Sequence, residues 1–119
     1  MRMRAFICAA LLFSVAAAHA HVRVESVKPA DKSHVRAPAA IELGFSEPAY
    51  LAEMTLQRGK EPARQLKVPA DAAVVVSVSL PPLAAGTYVV TYRVESDDGH
   101  ATTGRITFTV DPVAKEGRQ

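Results

Sequence analysis

Residues 88–95 read Tyr88-Val89-Val90-Thr91-Tyr92-Arg93-Val94-Glu95, and residues 105–110 read Arg105-Ile106-Thr107-Phe108-Thr109-Val110. In both, large apolar residues return at every second position. Tyr88, Val90, Tyr92 and Val94 share one face, as do Ile106, Phe108 and Val110. That period belongs to a strand with one buried side, and the β-branched and aromatic content suits a pleated surface. The same alternation recurs in Val22 and Val24, in Ile41, Leu43 and Phe45, and in Ala52, Met54 and Leu56. It recurs again in Leu66 and Val68, and in Val74, Val76, Val78 and Leu80. About seven short strands result, and no segment carries a convincing helical period.

Turn residues divide the runs at Pro29-Ala30-Asp31, Pro38, Pro48, Gly59, Pro62, Pro69-Ala70-Asp71, Pro81-Pro82, Gly86 and Gly99. Proline cannot donate to a ladder, and its fixed φ suits turns. Turn signals at this spacing predict an all-β sandwich of two antiparallel sheets. A polar tail runs from Val113 to Gln119.

The first twenty residues read differently. Arg2 and Arg4 precede an apolar stretch from Ala5 to Ala17, and Ala18-His19-Ala20 places small residues around a cleavage point. This is the layout of a secretory signal peptide, and the apolar run falls short of the roughly 20 residues that span a bilayer. The reading is therefore a signal over residues 1–20, cleaved after Ala20, and one domain over residues 21–119. Cleavage removes Arg2 and Arg4, so Lys+Arg falls from 14 to 12, matches the 12 Asp+Glu, and takes the net charge from +2 to zero. A neutral surface gives no electrostatic case for nucleic acid or for an anionic membrane. The one cysteine, Cys8, leaves with the signal. No disulfide and no thiolate ligand remain, which excludes a blue-copper electron carrier.

Three features carry chemistry. His21 becomes the first residue after cleavage and offers two nitrogens, its α-amine and its ring. Asp98-Gly99-His100 sets an acid and an imidazole two residues apart, on the same side of an extended chain. Glu47 ends a strand in Phe45-Ser46-Glu47-Pro48. One amine, two imidazoles and a carboxylate form an N3O set that suits a tetragonal Cu(II) ion. Zinc lacks a cysteine here, and calcium needs more oxygens. Each piece also has a plainer reading. Asp98-Gly99 is a common turn dipeptide, Asp97 is a second carboxylate beside Asp98, and Glu47 also fits a solvated strand end. His34 reads as a surface residue without an evident partner, and Met54 as core.

These blocks together resemble the CopC family of periplasmic copper-binding proteins. The resemblance runs from the Ala18-His19-Ala20-His21 junction through Ser26-Val27-Lys28-Pro29-Ala30-Asp31 and Leu43-Gly44-Phe45-Ser46-Glu47-Pro48. It continues through Leu83-Ala84-Ala85-Gly86-Thr87-Tyr88 and the stretch from Tyr92 to His100, and closes on Gly104 to Val110. It implies a small seven-stranded Greek-key, immunoglobulin-like β-sandwich. It implies one Cu(II) per chain held by His21, Asp98 and His100, with Glu47 beside the ligands. It also implies copper homeostasis or resistance in the periplasm and delivery to an inner-membrane transporter of the CopD type. The chain reads as a monomeric binding protein and not an enzyme. Two alternatives stand beside it. One is a copper oxidase with an N-terminal histidine brace, disfavoured by the absence of tryptophan. The other is a metal-free immunoglobulin-like interaction module. Family members with a methionine-rich segment bind Cu(I) at the other end of the sandwich. Here Met54 alone remains past the signal, which predicts a Cu(II)-only protein.

Overall fold

The computed structural model describes residues 22–112. The signal expected over residues 1–20, the expected ligand His21 and the tail from Val113 lie outside the described residues. Every element within them is a strand: β1 (Val24–Lys28), β2 (Ser33–Val35), β3 (Ala40–Arg58), β4 (Arg64–Gln65), β5 (Ala73–Ser79), β6 (Gly86–Glu95) and β7 (Ala101–Val110).

β3 belongs to both layers. Its first part pairs antiparallel with β1 on one side and β5 on the other, so that Leu43 lies opposite both Val27 and Val76. Its second part pairs antiparallel with β4 and β6, setting Met54 opposite Tyr92. β6 then pairs along its whole length with β7, from Gly86 opposite Val110 to Glu95 opposite Ala101. The inner faces of the two layers supply one core. Phe45, Phe108, Ile41, Leu43, Met54, Val78, Val90 and Val94 are all fully buried in it. The all-β sandwich and the buried faces of β6 and β7 match the periodicity of the sequence.

Three details differ from the sequence reading. First, the runs around Ile41–Phe45 and Ala52–Gln57 are one strand of 19 residues and not two strands broken at Pro48. Pro48 falls between Gly44 and Ala49, where the ladder to β5 is interrupted, so its missing N–H forfeits no bond there. Second, the sandwich is not purely antiparallel. β2 lies parallel to β7, with His34 opposite Thr109. After β1 the chain crosses to the edge of the other layer and arrives running in the direction of β7. Asp31 secures this crossing by accepting a hydrogen bond from Thr107 N (2.8 Å), and Asp111 N donates to Val35 O (3.0 Å). Third, Val74 does not share the buried face of Val76 and Val78, because the register shifts beside it.

The segment Leu83–Tyr88 locks the start of β6. The Tyr88 hydroxyl donates to Ala84 O four residues upstream (2.7 Å), the tyrosine corner of immunoglobulin-like sandwiches. Its ring stacks on Phe108 with centroids 5.5 Å apart. Gly86 has φ 152°, and a Cβ there would meet the Arg58 side chain, whose Nη2 donates to Ala85 O (2.6 Å).

Truncation of Phe108 to alanine should lower stability by about 3–5 kcal/mol. Tyr88→Phe, which removes one hydrogen bond and keeps the stacked ring, should cost about 1 kcal/mol. Urea unfolding followed by circular dichroism measures both, and equal costs would contradict this division of roles.

Candidate metal centre

The β6–β7 hairpin closes over Ser96–His100. Gly99 N donates to Ser96 O (3.0 Å) and Ser96 N to His100 O (2.9 Å). Gly99 takes φ 85°, the left-handed position that follows such a turn, and a Cβ there would meet nothing within 4 Å. Its requirement is thus conformational, and its effect is to fold the aspartate and the histidine towards one another.

Asp98 is the hub of this loop. Its Oδ1 accepts from the Ser96 hydroxyl and from His100 N (3.0 Å), and its Oδ2 lies 2.7 Å from His100 Nδ1. The Ser96 hydroxyl also reaches His100 O at 3.2 Å. These partners hold the Asp98 carboxyl well below the usual carboxylate range. The Ser96 hydroxyl contributes most, followed by the backbone and then the ring of His100. Of the two neighbouring acids, Asp98 is the one that bonds His100, and Asp97 beside it is exposed.

The His100 and Asp98 side chains are 59% and 57% exposed, so an ion can approach from solvent. An exposed pair of this kind adds little to stability. The 2.7 Å between Nδ1 and Oδ2 is a hydrogen-bond distance, so an ion held by both groups would take the place of that bond.

Two ligands do not make a centre. Among the described residues, no group of three or more His, Cys, Asp or Glu side chains is assembled to hold a metal. Glu47 is half-buried on β3. It does stand at the same end of the sandwich, three residues before Tyr50, which pairs with Glu95 at the root of the hairpin. β1 leads to this end as well. Val24 lies opposite Phe45, Arg23 N donates to Ser46 Oγ (2.9 Å), and Ser46 N donates to Arg23 O (2.9 Å). One more step in that register brings Val22 level with Glu47.

A second His–Asp pair escaped the sequence reading. His34 Nδ1 lies 3.0 Å from Asp111 Oδ1, at the far end of β7 from the hairpin. Seventy-seven residues separate the partners, and the parallel β2–β7 pairing that joins them leaves no local signal. Met54 has no exposed surface, so its sulfur reaches no ion in the folded protein.

Residues 24–111 match the CopC domain family. The chain belongs to the CopC family. Copper resistance protein C of Escherichia coli is 35% identical over 120 aligned residues, spanning 90% of this chain and 95% of that protein. Copper resistance protein C of Pseudomonas syringae pv. tomato is 38% identical over 106 residues, spanning 80% and 84%. In three dimensions the chain is similar to CopC from Methylosinus trichosporium OB3b, with TM-score 0.69, 32% identity, and 79% and 97% of the two chains covered. It is also similar to PcoC of Escherichia coli, described as a methionine-rich copper resistance protein, with TM-score 0.58, 34% identity, and 77% and 100% covered. The CopC family is one of copper resistance proteins and not of enzymes. This CopC-family chain departs from its methionine-rich relative, because its methionines are Met1, Met3 and the buried Met54.

The lowered titration of Asp98 has a defined sign. A carboxyl more acidic in the folded state stabilises the fold above its unfolded value, about 3.9, and loses that contribution as pH falls through the folded value. The stability difference between the wild type and Asp98→Asn should be present at pH 5 and shrink as pH falls below about 3.9. Denaturant titrations across pH measure it. A difference that disappears near neutrality would contradict the hydrogen-bonded carboxylate.

Proposed function

We propose that the protein is exported, that residues 1–20 are removed, and that the domain over residues 21–119 binds one Cu(II) ion in the periplasm. The ligands are the α-amine and ring of His21, the carboxylate of Asp98 and the ring of His100. Glu47 lies beside them and orients a ligand by accepting a hydrogen bond. The protein holds copper for homeostasis or resistance and passes it to an inner-membrane transporter of the CopD type.

Membership of a family whose relatives are named copper resistance proteins supports the choice of copper. The observation that carries the reading is the Asp98–His100 pair, an acid and an imidazole held together and exposed on the hairpin beside which β1 begins. Three nitrogens and one oxygen suit Cu(II), which also heads the divalent affinity series. Asp98 is already anionic, so it brings negative charge to the ion without competition from a proton. The nitrogen ligands must be deprotonated to bind, and affinity should therefore fall as pH drops below about 7. A binding protein needs no open coordination position, and a fourth ligand from Asp98 closes one that an oxidase would keep.

Intact mass of the periplasmic product, with and without copper, tests export and stoichiometry together. The result expected is a chain that starts at His21 and takes up one Cu(II). An extra residue ahead of His21 should weaken binding by more than about 100-fold, beyond the loss typical of an outer partner. The far-ultraviolet circular dichroism of that variant should be unchanged. Undiminished affinity in the extended protein would rule out the amine as a ligand. Copper at about a thousandfold excess over its dissociation constant should stabilise the fold by about 4 kcal/mol and raise the melting temperature by more than about 10 °C.

A further inference from the structure

The two oxygens of Asp98 are not equivalent. A carboxylate oxygen can accept about two hydrogen bonds, and Oδ1 already has two. It accepts from the Ser96 hydroxyl and from His100 N (3.0 Å). Oδ2 faces the ring of His100, whose Nδ1 lies 2.7 Å away. An ion that displaces this one contact gains Oδ2. An ion that took Oδ1 would have to break into both bonds on the other side.

The Ser96 hydroxyl is the side-chain half of this clamp. It carries one proton, and two acceptors stand within reach, Asp98 Oδ1 and His100 O (3.2 Å). A hydrogen bond to an ionised oxygen is the stronger, so the proton goes to the carboxylate. His100 O is left satisfied, because it already accepts from Ser96 N (2.9 Å). Ser96 is half-buried and follows directly on Glu95, the last residue of β6, which pairs with Ala101. Its place is thus set by the sheet, while Asp98 stands out on the turn.

We infer that Ser96 is a positioning residue for copper: by holding Oδ1, its hydroxyl makes Asp98 a ligand through Oδ2 alone. The inference rests on the metal centre proposed above and adds to it a residue that touches no ion. A carboxylate bound through one oxygen fills one coordination position and leaves the others to the amine and the two imidazoles of the N3O set. Without the hydroxyl, Oδ1 keeps only the backbone donor of His100, and the carboxylate is free to turn about its Cβ–Cγ bond. It then chelates through both oxygens or swings away from the ion. Partners that orient a metal ligand in this manner are worth about 10- to 100-fold in affinity.

Cu(II) titrations of Ser96→Ala, Ser96→Thr, Asp98→Ala and the variant carrying both alanines test this, with an electron paramagnetic resonance spectrum of each copper form. All four changes lie outside the core, and circular dichroism should show each protein folded. Ser96→Ala should bind Cu(II) about 10- to 100-fold more weakly and alter the copper hyperfine splitting. Ser96→Thr, which keeps a hydroxyl, should restore both. In the Asp98→Ala background, Ser96→Ala should change neither, because the carboxylate it holds is gone. A hydroxyl that only stabilised the turn would weaken binding by the same factor in both backgrounds, and that result would overturn the inference. If Asp98→Ala binds weakly while Ser96→Ala keeps the affinity and spectrum of the wild type, the positioning role falls and the metal centre stands. If Asp98→Ala itself binds as the wild type does, both fall together.

Discussion

The structure depends on one continuous strand that serves two layers. β3 gives its first part to β1 and β5 and its second part to β4 and β6, and Pro48 stands near the changeover. A proline in mid-strand is normally a liability. Here it occupies the gap in the β5 ladder, where the missing donor costs nothing. The changeover also sets the position of the candidate site. Glu47 and Tyr50 flank it, β1 begins against Ser46, and the β6–β7 hairpin rises from Glu95 opposite Tyr50. Segments distant in sequence therefore meet at one pole because they all border the same turn of a single strand.

The scaffold and the pole are built by different physics. Eighteen buried apolar residues make a core with no buried polar or charged member among the described residues, so its stability rests on burial and packing rather than on ion pairs. The pole is exposed and held by short-range hydrogen bonds. Ser96, Asp98 and His100 satisfy one another within five residues. This separation lets the hairpin keep a fixed acid and imidazole without spending core stability on them, the division of labour by which loops on a rigid support carry function.

The parts of this arrangement that were legible in the sequence are those that depend on local pattern. Alternation in residues 88–95 and 105–110 is a direct imprint of one buried face, and the structure buries Tyr88, Val90, Tyr92 and Val94 accordingly. Asp98 and His100 do meet, but not along the extended chain that their i, i+2 spacing suggested: the segment is a turn, and Gly99 at φ 85° with Ser96 beside it brings the two side chains together. Features set by the tertiary register were not legible. Pro48 carries the signature of a break, and only the local absence of a β5 partner lets the strand run through it. β2 is three residues with no alternation long enough to recognise, and its parallel alignment with β7 is what joins His34 to Asp111. The exposure of Val74 and Val75 follows from a register shift and a neighbouring glycine, neither of which is visible in the run of valines itself.

The central claim is that copper binds at the pole where β1 starts and the Ser96–His100 hairpin ends. Paramagnetic broadening of backbone amide signals by one equivalent of Cu(II) tests it most directly. The predicted result is loss of signal confined to Val22, Glu47, Tyr50 and residues 96–100, with Val35 and Asp111 at the far end untouched. Broadening centred on His34 and Asp111, or spread without focus over the sandwich, would contradict it.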